Sequence, residues 1–378
     1  MLKHLLITAI GFLFINYCPA QTGKTALQFY DEGIKLQDSE KYTEALAAFK
    51  NAIAKNPNYK EALYSAGWTC NELKKYTEAL GFLQRAKSLW PNEAKIYVEL
   101  GYTYEKLDKK TDAINSYNKC ITIDDTYSLA YKYLGIIYYD EDNYTKAFEY
   151  LEKYIQFEPD TKDDDIYFRK AVCENDQGKY NEALVSINKA MELNPGNVKF
   201  INEKAYSYYA LENADEALRF YNQAIDLDSK SLTALNGIAD VSRKLKKNPT
   251  EAIRLYAKAL DIKDNNIKAN YWTGWCYNEL GKPNEAIPYL KKVIAEDDKY
   301  VSAYTELGYC DYSLKNYDDA LLYFKKAFTL EKTELNLYYT GLCFVGKKDK
   351  AAAIKMMNDL KAQNSTYADD LKKLIDNM

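Results

Sequence analysis

Between Lys60 and Glu93 the apolar residues fall into two stripes of helical period. Leu63, Ala66, Gly67 and Cys70 form the first, Ala79, Leu80, Leu83 and Ala86 the second, and Pro91 closes the unit. Spacings of three and four residues predict two short amphipathic helices joined by a turn. Neither helix can bury its stripe alone, so the unit needs neighbours of the same kind.

Copies stand on both sides. Gly33, Gly67, Gly101 and Gly135 are each 34 residues apart, with Ala45, Ala79, Ala113 and Ala147 in step. Pro57, Pro91 and Pro159 close three of these units, and Asp125 stands in the other. After the acidic run Asp160 to Asp165 the rhythm resumes at Ala183 and Ala217. It passes a longer internal turn, Lys246-Lys247-Asn248-Pro249, to Ala252, and continues at Ala286 and Ala320. Gly274 and Gly308 are again 34 apart, and Gly341 follows. Ala171 replaces the glycine in the fifth unit, and Gly237 is out of register in the seventh; a change of curvature is expected at both.

Two residues before each marker alanine stands a good capping residue: Thr43, Thr77, Thr111, Thr145, Asn181, Asp215, Thr250, Asn284 or Asp318. Each is expected to accept a hydrogen bond from the first free N–H groups of its second helix. The next residue is acidic in eight of the nine, Lys146 excepted, which complements the positive end of the helix dipole.

Units of this kind resemble tetratricopeptide repeats. The pattern is carried by Tyr97, Leu100, Gly101, Tyr104, Ala113 and Tyr117 in the third unit, and by Tyr131, Leu134, Gly135, Tyr138, Ala147, Leu151 and Pro159 in the fourth. The resemblance covers roughly residues 26–360. It implies an all-α fold, a right-handed α-solenoid of about ten units. Their expected bounds are 26–59, 60–93, 94–127, 128–161, 164–197, 198–231, 232–266, 267–300, 301–333 and 334–363. A capping helix at 366–376 is expected to cover the last face with Tyr367, Leu371, Leu374 and Ile375.

Composition narrows the function. With 51 basic and 55 acidic residues there is no electrostatic footprint for nucleic acid. Lys3 and His4 precede an apolar run, Leu5 to Ile15, and Cys18-Pro19-Ala20 offers a cleavage site. Residues 1–20 therefore read as a secretory signal peptide, too short to span a bilayer. Ile15-Asn16-Tyr17 fits poorly before a lipid-modified Cys18, and no later stretch is long and apolar enough to cross a membrane. The mature chain is expected to be exported, periplasmic or secreted, in an envelope setting. His4 is the one histidine, so cleavage removes histidine-based acid–base, nucleophilic and metal chemistry.

Cys173, Cys276, Cys310 and Cys343 share one repeat position, and with Cys70 and Cys120 read as small core residues. Equivalent positions in adjacent repeats lie about 9–10 Å apart, beyond disulfide reach. The acidic run lacks the spacing, glycine and distal glutamate of a calcium loop, and no phosphate loop or zinc spacing is present. No catalytic residue, metal or cofactor is expected.

The aromatic residues are the functional signal. By the family resemblance, the residue after each marker points into a concave groove: Ile34, Trp68, Tyr102, Ile136, Val172, Tyr206, Trp275, Tyr309 and Leu342. Helix neighbours add Tyr64, Asn71, Tyr139, Tyr209, Tyr271, Asn278 and Tyr312. Gly-Trp-x-x-Asn-Glu-Leu-x-Lys occurs at both Gly67 and Gly274. The family's carboxylate clamp is not carried over, because its asparagine position is aromatic or aliphatic here. These rings either pack between helices or grip a partner. The expected function is a non-enzymatic scaffold that binds a protein or peptide, with Trp68 and Trp275 as anchors. An envelope glycan is the alternative ligand.

Overall fold

The computed structural model describes residues 23–378, so the signal-peptide reading, with His4 and Cys18, lies outside the described residues. Among these, the regular elements are twenty-one α-helices and one π-helical turn, and no helix is long and apolar enough to cross a membrane. The chain forms two compact units, one of residues up to 141 with 149–159, the other of 142–148 with 160–378.

In the first unit, α1 (Ala26–Asp38), α3 (Lys60–Glu72), α5 (Ala94–Lys106) and α7 (Ser128–Asp140) are the first helices of their pairs. The second helices are α2 (Tyr42–Lys55), α4 (Tyr76–Leu89) and α6 (Lys110–Ile123). Helix α8 (Tyr144–Phe157) is divided between the units. In the second unit the first helices are α9 (Asp164–Asp176), α11 (Val198–Ala210), α13 (Leu232–Asp240), α15 (Ile267–Glu279), α17 (Val301–Ser313) and α19 (Glu334–Gly346). Their partners are α10 (Tyr180–Leu193), α12 (Ala214–Leu227), α14 (Pro249–Ile262), α16 (Pro283–Glu296), α18 (Tyr317–Leu330) and α20 (Lys350–Ala362). Helix α21 (Tyr367–Asp376) ends the chain. Each unit is an α-solenoid in which each helix packs chiefly on its neighbours in sequence.

The marker glycines are where paired helices meet. A Cβ on Gly33, Gly67, Gly101, Gly274 or Gly308 would come within 2.4–2.6 Å of Phe49, Leu83, Tyr117, Leu290 or Phe324 respectively. Each of these large side chains, sixteen residues on, is buried over the bare backbone. The six cysteines of the described residues are free and buried, and burial pushes each thiol up to about 12.

The predicted caps are displaced. Helix α4 starts at Tyr76 with Lys75 as its N-cap, so Thr77 lies inside the first turn; Thr43 and Thr111 are placed likewise. What sets the start is the preceding turn. Glu40, Lys74, Asp108, Asp142, Glu212, Lys247, Lys315 and Lys348 all have φ between 49° and 64°, as does Gly281 at 67° and Gly178 at 74°. This left-handed residue closes a Schellman motif: the Lys75 amide donates to the Cys70 carbonyl at 2.8 Å and the Lys74 amide to Asn71 at 2.9 Å. The second helix can begin only after it. The acidic residues Glu44, Glu78 and Asp112 remain in the first turn, where they suit the dipole.

The seventh pair absorbs its extra residue as a π-helical turn, Val241–Leu245, after α13. Gly237 is not the marker there. It faces backwards, and its Cβ would meet the Tyr221 ring of α12 at 2.3 Å. At the C-terminus, Leu371 and Ile375 of α21 are buried, with Leu371 over Gly341, and Tyr367 stacks on Tyr338 at 4.9 Å. Leu374, expected on the same face, stays exposed.

Candidate functional site

Within each unit, first helices of successive pairs touch: α3 with α5, α5 with α7, α9 with α11, α11 with α13, α15 with α17 and α17 with α19. Among the described contacts of second helices other than α8, none joins successive second helices to a similar extent. The first helices therefore form the crowded layer, and the aromatic positions read from the sequence lie on it.

The structure sorts those positions. Tyr206 and Tyr309 are the open ones, 42% and 36% exposed. Tyr64, Trp68, Tyr102, Tyr139, Tyr209, Trp275 and Tyr312 are half-buried. Trp68 packs edge-on against Tyr42 at 5.8 Å, and Tyr102 against Tyr76 at 6.4 Å. Here an aromatic residue at the start of a second helix braces the position after the next marker. Trp275 packs edge-on against Trp272 at 5.8 Å, and Tyr309 against Tyr339 at 6.1 Å. Tyr271 is buried between Trp272 and Tyr300.

Asn71 and Asn278 are buried, and both ends of each amide are bonded to the next first helix. Asn71 Nδ2 donates to Glu99 Oε2 at 2.8 Å, and Thr103 Oγ1 donates to Asn71 Oδ1 at 2.9 Å. Asn278 Nδ2 donates to Glu306 Oε2 at 2.7 Å, and Cys310 Sγ donates to Asn278 Oδ1 at 3.0 Å. Asn175 repeats the arrangement, donating to Glu203 Oε1 at 2.6 Å and accepting from Ser207 Oγ at 3.1 Å. Burial raises all three glutamates, Glu99 to about 7, against the lowering effect of the asparagine bond. The three clamps share one sequence spacing, an asparagine of a first helix followed 28 residues later by a glutamate of the next first helix.

The second unit contains a cavity of about 590 Å³ lined by α9, α11 and α13, with Lys268 of α15. Tyr206, Tyr209 and Tyr221 line it, as do Asn175, Asn202 and Asn236 and the charged residues Asp176, Lys199, Glu203, Asp240 and Lys268. Asn202 and Asn236 are 7% and 6% exposed, and neither carbonyl oxygen has a donor. One wall is fixed by Asp240, which takes the Tyr256 hydroxyl on Oδ1, Lys268 at 2.6 Å on Oδ2 and Arg243 at 3.5 Å. Arg243, displaced onto the π-helical turn, lies 3.5 Å over the Trp272 ring. Sequence reasoning missed this cluster because the seventh unit lacks the marker glycine, although Asp240 stands 34 residues after Tyr206, at the same repeat position.

Family models described as Tetratricopeptide repeat match residues 30–94 and 202–267, and residues 94–127, 134–161 and 164–197. Together these matches cover more than half of the chain. A model of Anaphase-promoting complex, cyclosome, subunit 3 matches residues 246–327. The Hsp70/Hsp90 co-chaperone CNS1 of Saccharomyces cerevisiae is 30% identical over 93 residues, which are 24% of this chain and 24% of that protein. Among solved structures, PilW, described as a widely conserved type IV pilus biogenesis factor, aligns with a TM-score of 0.50 at 22% identity. The alignment covers 55% of this chain and 97% of PilW. PilF of Pseudomonas aeruginosa aligns with a TM-score of 0.50 at 18% identity over 56% of this chain and 96% of its own. At these identities the likeness is one of fold.

Proposed function

Because the chain belongs to the tetratricopeptide repeat family, we propose that it is a non-enzymatic scaffold that binds a protein or peptide on its first-helix layer. The observation that carries this reading is the exposure of Tyr206 and Tyr309 there, while the small-residue face of the same helices is closed by packing. Large aromatic side chains left open on a rigid layer offer contact area with few torsions to freeze. The braced rings of Trp68, Tyr102 and Trp275 extend the same surface in their own units. Within each unit the first-helix layer, being the more crowded one, is the side that the repeat resemblance implies to be concave. CNS1 is named an Hsp70/Hsp90 co-chaperone and PilW is described as a type IV pilus biogenesis factor, and both descriptions are in keeping with a partner-binding role. The signal-peptide reading of residues 1–20 supports export to the periplasm or beyond, with a partner in the envelope.

Site-specific photo-crosslinking tests this reading. A benzoylphenylalanine at Tyr206 or Tyr309 is expected to capture the same partner in the native setting. The same probe at Val185 or Leu322, exposed on second helices α10 and α18, is expected to capture none. Equal capture from both layers overturns the reading. Capture abolished by glycan-degrading enzymes and not by protease identifies a polysaccharide ligand instead.

A further inference from the structure

We infer that the cavity lined by α9, α11 and α13 is a pocket for an organic cation, a primary ammonium or guanidinium group on a partner's side chain. This rests on the partner-binding reading of the first-helix layer and adds the chemistry of what is bound.

Space comes first. The places equivalent to Gly237 on α11 and α15 hold Glu203 and Trp272. Glycine here makes room for the Tyr221 ring, which lies against its backbone and lines the cavity as its floor. The unmet groups come next. The donor of Asn202 is turned to Ser231 Oγ at 3.3 Å, which leaves its carbonyl oxygen as the free end, and the Asn236 oxygen is also unmatched. A buried acceptor without a donor is destabilising, and a ligand rich in N–H groups would supply what it lacks. A sugar brings as many acceptors as donors, and a carboxylate brings acceptors alone.

Charge points the same way. Asp176, Glu203 and Asp240 face Lys199 and Lys268, and Lys268 is already held by Asp240. Asp240 is matched by Lys268 and by Arg243, whereas Glu203 is met only by the neutral amide of Asn175. Its carboxyl is raised by burial, as expected of an acid lacking a counter-cation. The Tyr206 and Tyr209 rings, 6.3 Å apart at the same cavity, add faces that attract cations.

The test uses the intact protein and the blocked tripeptides acetyl-Gly-Arg-Gly-amide and acetyl-Gly-Lys-Gly-amide, titrated by calorimetry or NMR. The citrulline tripeptide is the neutral isostere of the arginine probe; the glutamate tripeptide and maltotriose are the other competitors. At least one cationic probe is expected to bind about tenfold tighter than the citrulline, glutamate and sugar probes. Glu203→Gln and Asn236→Leu, both close in shape to the native residues, are expected to weaken it about fivefold or more with a melting temperature no lower than the native one. Equal binding of arginine and citrulline probes, preference for glutamate or maltotriose, no binding of either cation, or indifference to Glu203→Gln each overturns the inference. If Tyr309 still crosslinks the partner in such a case, only the cation pocket fails. If crosslinking is lost at Tyr206 and Tyr309 alike, the partner-binding reading fails as well.

Discussion

Asp240 stands at the repeat position that other first helices fill with Trp68, Tyr102, Tyr206 or Trp275. It is buried and holds Tyr256, Arg243 and Lys268 at once. Asp240→Ala leaves a buried guanidinium and hydroxyl without their acceptor and is expected to cost about 3 kcal/mol in urea unfolding, with Asp240→Asn milder. Glu99 gives a pH signature. Its folded value of about 7 lies above the ordinary 4.5, so the folded chain holds this proton more tightly than the unfolded one. The associated stability is present below about pH 4.5 and is lost as pH rises through 7, by at most about 3 kcal/mol. Glu99→Gln should therefore raise the melting temperature at pH 8 and leave it nearly unchanged at pH 4; an equal effect at both would show that ionisation plays no part. The aromatic positions were legible from their offset to the marker residues. The asparagine roles were not, because whether Asn71 reaches solvent or Glu99 depends on a neighbour 28 residues away.

At the scale of the helix pair, the left-handed turn decides where the second helix begins. Thr77 and Glu78 imitate a cap and its follower, and the usual stop signal is absent because Lys74 or Asp108, not glycine, takes the positive φ. The threonine therefore points to a start two residues late, although the helices themselves are legible from period alone. Only Gly178 and Gly281 advertise the turn. Lys74→Gly or Lys315→Gly is expected to stabilise by about 0.5–1 kcal/mol, and Gly281→Ala to destabilise by a similar amount, in thermal unfolding. Opposite signs would place the strain elsewhere. The one-residue insertion was visible as a long turn, but its accommodation as a π-helical turn was not, since the extra residue could have bulged from either helix.

For the molecule as a whole, neighbours in sequence are the neighbours in space, so damage stays local. Leu371→Asp, which uncovers Gly341, is expected to speed amide exchange in α19 and α20 and to leave α1 to α6 at their native rates. Exchange lost throughout would reveal a single cooperative block. The cysteines make a second test: with thiols pushed up to about 12 by burial, none of the six described should react with a thiol reagent in the native protein. All six should react after denaturation, and Cys18 adds a seventh where residues 1–20 are retained. The repeat architecture was legible because period survives substitution. The division into two units was not, because the boundary carries no linker composition.

The asparagine–glutamate clamps join the second pair to the third, the fifth to the sixth and the eighth to the ninth. They therefore recur every three repeats, about a hundred residues, beneath the shorter period. The chain is written in triplets, and the clamp is the mark at which one triplet can be spliced to another. Excising residues 176–278 would bring Glu306 to the same 28-residue distance from Asn175 that Glu203 now holds. A cut of one or two repeats would instead leave that asparagine facing a residue chosen for a different neighbour. Removal of a whole triplet is therefore expected to keep a clamp that removal of one or two repeats would break.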